Sequence, residues 1–219
     1  MVKKRRQQGI LTGMPFMANI APRTFIDDLG RKLYVAEPPK RIVSLAPSVT
    51  EILFAIGLNE EIVGVTEFCD YPPAAQDKPK VGYARPNLEA LVALEPDLVI
   101  APQSFLRTDL LAKLEQLKIP TVILNPKSLE DILAHIRLIG RIVGRQAEAL
   151  QVTEAMRGRM RTLSSRLAGL QRPRVLYVLN SQPLITVGPG SFIQQLIELA
   201  GGDNIAADAH APYPRINME

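Results

Sequence analysis

Tryptophan is absent from this chain, and only one cysteine and two histidines occur in its 219 residues. Each shortage removes a class of protein. Few aromatics and no Trp argue against a stacking surface for single-stranded nucleic acid. A single cysteine, Cys69, excludes an internal disulfide and a cysteine-rich metal site. His135 falls within an apolar helical run and reads as a satisfied or exposed histidine. His210 has no companion at ligand spacing. Net positive charge is also scarce outside one place. The net charge is +4, and Lys3, Lys4, Arg5 and Arg6 account for all of it. No basic face is left for a nucleic acid. No apolar run reaches the ~20 residues of a spanning helix. No Walker A sequence and no G-x-S-x-G elbow appear. "GPGSFI" at 188–193 resembles the start of a nucleotide fingerprint, but its sixth position is Ile193. A plain strand-to-helix turn competes with that reading.

Residues 1–24 begin with a basic stretch and continue into a modest apolar run. That order resembles a signal peptide. Gly13, Pro15 and Asn19 interrupt it, no A-x-A site follows, and no cysteine is placed for a lipid anchor. The segment reads as a leader or degenerate signal.

What the chain does have is alternation. Apolar runs at 41–46, 62–66, 97–101 and 120–124 predict strands, with helices expected at 49–57, 87–94, 104–118 and 128–144. Continuous apolar strands between helices imply a parallel sheet covered on both faces. Residues 25–144 are therefore expected to form one α/β lobe. Residues 145–171 predict one long helix. Met156, Met160, Leu163, Leu167 and Leu170 form a narrow apolar stripe on it, and Arg157, Arg159, Arg161 and Arg166 a solvated face. The α/β pattern then restarts at 172–219, with strands at 174–179 and 184–188 and a helix at 191–202. This second lobe has about half the elements of the first, and the chain stops where Asn217 would cap a new helix.

The segment "RIVSLAPSVTEILFAIG", 41–57, carries a carboxylate where a core strand becomes a helix. Ser48-Val49-Thr50-Glu51 fits the S-x-x-E capping box, which would satisfy free N–H groups of the first turn. In open α/β sheets ligands bind off the carboxyl ends of strands. The loops there are 67–87, 102–104, 180–184 and 207–216, and they hold Phe68, Tyr71, Tyr83 and Tyr213.

The stretches "DDLGRKLYVAEPPKRIVSLAPSVTEILFAIG", "DYPPAAQDKPKVG", "NLEALVALEPDLVIA" and "ELAGGDNIA…YPRINME" resemble the cobalamin and iron-siderophore substrate-binding proteins of ABC importers. Cobalamin-binding members give the closest pattern. The resemblance runs from about Phe25 to Glu219. It implies two Rossmann-like α/β lobes joined by a single linker helix, with ligand between them and no catalysis. By motif position it implies cleft aromatics at Phe68, Tyr83 and Tyr213. Pro102 and Ile185 stand where two further aromatics are expected, which thins the wall and leaves a corrinoid, haem and a ferric siderophore all open. It also implies that Glu51 and Glu219, one per lobe, dock on arginines of membrane permease subunits. It implies a monomer, an extracytoplasmic location and no intrinsic cofactor. A non-transport corrinoid or metal accessory protein and a nucleotide-using α/β enzyme are the competing readings.

Overall fold

A computed structural model describes residues 23–82, 86–105 and 108–216. The first elements are a hairpin, β1 (Arg23–Ile26) and β2 (Lys32–Val35), which the apolar alternation had not suggested. Its turn is built by Asp27. The buried carboxylate accepts from the backbone N–H of Leu29 and Arg31 at 3.0 Å each and pairs with the Arg31 guanidinium at 2.6 Å. Asp28 fastens the turn to the lobe, with His135 Nε2 2.9 Å from its Oδ2. His135 is thus a buried, partnered histidine.

Next come β3 (Ile42–Ser44), α1 (Pro47–Ala55), β4 (Ile62–Val65), α2 (Leu88–Ala93), β5 (Leu98–Pro102), α3 (Thr108–Gln116), β6 (Thr121–Leu124) and α4 (Leu129–Ile142). The four strands β3 to β6 form one parallel sheet in the order β4-β3-β5-β6. Side chains alternate across it. Ile42, Leu98, Ile100 and Val122 face α1, α4 and the following helix together with Leu53, Ile136 and Ile139. Val43, Val99, Ala101 and Ile123 face α2 and α3 with Leu91 and Leu114. The expected doubly covered sheet is present.

Helix α5 (Gln146–Leu167) has 22 residues and spans about 33 Å at 1.5 Å per residue. Its contact face differs from the expected stripe. Ala149 and Thr153 are buried, and Val152 and Met156 pack partly against the first lobe's core. Leu163 and Leu170 are 38% and 61% exposed. The reason is reach: the first half of α5 lies along α4, whereas the second half runs beyond it towards the second lobe. Leu167 there sits under Gly201.

The second lobe holds β7 (Arg174–Val175), β8 (Asn180–Ser181), β9 (Leu184–Ile185), α6 (Phe192–Leu199) and β10 (Asp203–Asn204). β7 pairs in parallel with β10, and β8 pairs with β9 as a hairpin. The strand expected at 174–179 shrinks to two residues because β10 flanks only Arg174 and Val175. Leu176, Tyr177, Val178 and Leu179 are 42–50% exposed. Helix α6 begins on Ser191, whose Oγ accepts from Gln194 N at 3.1 Å. A buried cluster of Gln194, Asn204 and the Val187 carbonyl ties α6 to β10.

Candidate functional site

The carboxyl edge of the first sheet is where β3, β4 and β5 release their chains. At the β3–α1 junction the capping box is not formed. Ala46 is the N-cap, with φ −159° and ψ 151° and no side-chain cap bond. Pro47 takes the first helical position, which suits its fixed φ and missing N–H. The helix therefore starts too early for Ser48 to cap it, and Glu51 lies in the second turn with its side chain exposed. The capping motif is realised elsewhere. Ser128 Oγ accepts from Asp131 N at 3.0 Å, while Asp131 Oδ2 accepts from Lys127 N at 2.9 Å. Asp131 lies below the ordinary carboxylate pKa, chiefly because of that Lys127 N–H, with burial opposing and the Ser128 bonds adding.

Beneath the junction is a polar knot that sequence reasoning missed. Thr50 Oγ1 lies 2.8 Å from Ser44 Oγ and 3.2 Å from Cys69 Sγ, and Thr66 Oγ1 lies 3.2 Å from the same sulfur. All four residues are buried. Cys69 is thus a structural bridge between α1 and the loop after β4. A lone cysteine in a loop gives no such signal in sequence; of the two hydroxyls that meet its sulfur, that of Thr50 comes from a separate segment, α1.

That loop is clamped from outside as well. Lys80 Nζ donates to the carbonyls of Cys69 and Ala75 at 3.2 and 3.0 Å, and Gln76 Nε2 to that of Asp70 at 3.1 Å. Held between the knot and the clamp, Phe68 is 59% exposed and Tyr71 is 65% exposed. Two large aromatic groups therefore stand in solvent on a braced loop at the sheet's carboxyl edge.

Glu51 and Tyr71 share one surface. With Pro47, Ser48 and the apolar side chains of Ile52, Ile132, Ile136, Val152 and Met156 they line a groove of about 550 Å³. Phe68 and Tyr213 are not among its lining residues. Tyr213 is 55% exposed on the second lobe. It rides on an extended segment anchored by Gly188 N to Pro212 O at 2.9 Å and Thr186 N to Pro214 O at 3.1 Å. Tyr83 and Glu219 lie outside the described residues, as does Asn217.

The turn at Gly188 has a packing explanation. A Cβ added there would stand 2.5 Å from the Ala211 carbonyl oxygen. Its close approach therefore serves the chain's own 206–212 segment. Among the described residues no group of three or more His, Cys, Asp or Glu could hold a metal ion, and no helix is long and apolar enough to cross a membrane.

Two α/β lobes joined by one helix, with aromatics exposed at strand carboxyl ends, define the two-lobed binding-protein class. The family described as Periplasmic binding protein matches residues 42–219, and the chain belongs to it. It is 34% identical over 183 residues to a vitamin B12-binding protein of Vibrio cholerae serotype O1, covering 83% of this chain. The chain spans 66% of that relative's length. The crystal structure of the periplasmic vitamin B12 binding protein of Vibrio cholerae superposes with a TM-score of 0.71 over 83% of this chain and 71% of that one, at 34% identity. A periplasmic heme-binding protein from Roseiflexus sp. RS-1 gives 0.70 at 30% identity, covering 81% of this chain and 70% of that one.

Proposed function

We propose that the chain is the substrate-binding component of an ABC importer, working outside the cytoplasm. It captures a flat metal chelate of the corrinoid or haem kind between its lobes. Phe68 and Tyr83 act from the first lobe and Tyr213 from the second; Glu51 and Glu219 present the loaded protein to permease arginines. The observation that carries this reading is the exposure of Phe68 and Tyr213, one on each lobe, in a chain 34% identical to a vitamin B12-binding protein. Solvent-exposed aromatic rings on both lobes suit a large planar ligand, because stacking contributes about 0.5–1.5 kcal/mol beyond area burial. Similarity to both a B12-binding and a heme-binding protein supports a planar tetrapyrrole-like chelate ahead of a ferric siderophore.

The test is native mass spectrometry and calorimetry against cobalamin, haem and a ferric siderophore. One of the first two is expected to bind at 1:1. Tyr213→Ala is expected to weaken that binding several-fold with an unchanged melting temperature. Absence of binding to all three, or binding indifferent to both Phe68→Ala and Tyr213→Ala, overturns the reading.

A further inference from the structure

The groove between α4 and α5 carries more guanidinium than carboxylate. A cavity of about 370 Å³ there is lined by Glu130, Ala134, Arg137, Arg141 and Arg157. Arg137 is held by Glu154 Oε1 at 2.6 Å and by Thr153 Oγ1 at 2.9 Å. Arg157 is held by Glu130 Oε2 at 2.6 Å, with Glu154 Oε1 3.5 Å away. Arg141 pairs with no carboxylate among the described residues. Its guanidinium lies 6.0 Å from the centre of the Phe25 ring, and that of Arg23 lies 5.7 Å from the same ring. Arg23 donates to the Arg141 carbonyl at 3.0 Å, and its Nε is buried without a partner. Of these four arginines only Arg137 and Arg157 engage the two carboxylates, Glu130 and Glu154. Two positive charges remain unneutralised in one small region.

We propose that this cavity is an oxyanion site of the phosphate class. Arg137 and Arg157 are already fixed by their carboxylates, so their remaining N–H groups are preorganised donors. Arg141 supplies the charge that is not yet neutralised. A doubly charged phosphate would balance the excess, and a phosphodiester would balance half of it. Guanidinium forks match phosphate oxygens bidentately. The two carboxylates repel an anion, but each is engaged by an arginine. The oxyanion has two sources: free phosphate, or the headgroup of an anionic phospholipid.

Inorganic phosphate is titrated calorimetrically into the full chain at low ionic strength. In parallel the protein is co-sedimented with vesicles of phosphatidylglycerol and of phosphatidylcholine. Arg141→Gln is compared with Arg166→Gln, an equal charge change on the exposed end of α5. Arg141→Gln breaks no ion pair, so its melting curve serves as the folding control. Saturable, salt-sensitive binding that falls at least fivefold in Arg141→Gln and holds in Arg166→Gln is the expected result. Loss of phosphate binding identifies the free anion. Loss confined to phosphatidylglycerol vesicles identifies the lipid headgroup. Failure of both probes to bind, equal loss in the two variants, or no loss in either overturns the proposal.

Discussion

The side-chain carbonyl of Gln195, on α6, accepts a hydrogen bond of 3.0 Å from the backbone N–H of Leu129, the first residue of α4. One lobe thus satisfies a free N–H at the start of a helix in the other. Gln195 Nε2 also reaches the Lys127 carbonyl at 3.4 Å. The contact sits beside the Ser128–Asp131 cap, so the two lobes meet at a helix N-terminus. Gln195→Ala is expected to cost about 1 kcal/mol, the ordinary net worth of a hydrogen bond. Hydrogen exchange at the Leu129 amide is expected to accelerate several-fold while the amides of β5 stay unchanged.

Thr50→Val removes the hydroxyl at the centre of the Ser44–Thr50–Cys69 knot and keeps the side-chain shape. Leaving Ser44 and Cys69 short of a partner in a buried site is expected to cost about 1–3 kcal/mol. Thr50→Ser is expected to recover most of it. Urea unfolding measures the difference, and an indifferent Thr50→Val would show that the knot adds nothing.

Asp131 makes the cap of α4 acid-sensitive. Its folded pKa is depressed below the ordinary 3.8. Its contribution is therefore fully present above about pH 4 and is lost as the pH falls through the lower folded value. Asp131→Asn is expected to be less stable than wild type at pH 6 and to approach it below pH 3. Melting curves across that range check the convergence.

Gly188→Ala would drive a methyl group to 2.5 Å from a backbone oxygen, which has no flexible side chain to yield. The 206–212 segment must shift, and Tyr213 shifts with it. The variant is expected to melt earlier and to lose ligand affinity together, by several-fold in calorimetry.

Glu51→Gln separates docking from folding. The carboxylate is exposed and caps nothing, so the melting temperature and ligand affinity are expected to hold. Permease complex formation and reconstituted uptake are expected to fall, since charge-assisted interfacial pairs can contribute about 1.5–7 kcal/mol. Unimpaired uptake would remove Glu51 from the interface.

The sequence by itself determined the first lobe. Apolar runs bounded by prolines and glycines can be buried only as strands of a covered parallel sheet, and β3 to β6 with α1 to α4 follow that pattern within a few residues. It also determined α5, because a stretch of strong helix formers without proline has no competing structure. Helix starts were legible where the cap was unambiguous. Asn87 accepts from Glu89 N and Ala90 N as its position predicts. At Ser48 the same motif misled, because Pro47 can begin a helix without an N–H to satisfy, and that is decided by how the chain leaves β3.

Only the tertiary structure decided which faces were used. The apolar stripe of α5 is continuous in sequence, yet of its five residues only Met156 packs against the first lobe's core. The β1–β2 hairpin was hidden because its strands are short and its turn is held by Asp27 contacts as remote as Ile123 N. Phe68 and Tyr71 became exposed aromatics on a braced loop through Thr50, Cys69 and Lys80. Arg157, one of four arginines that read alike, became a cavity wall because Glu130 approaches from another helix. Such pairings join residues far apart along the chain, and local periodicity carries no record of them.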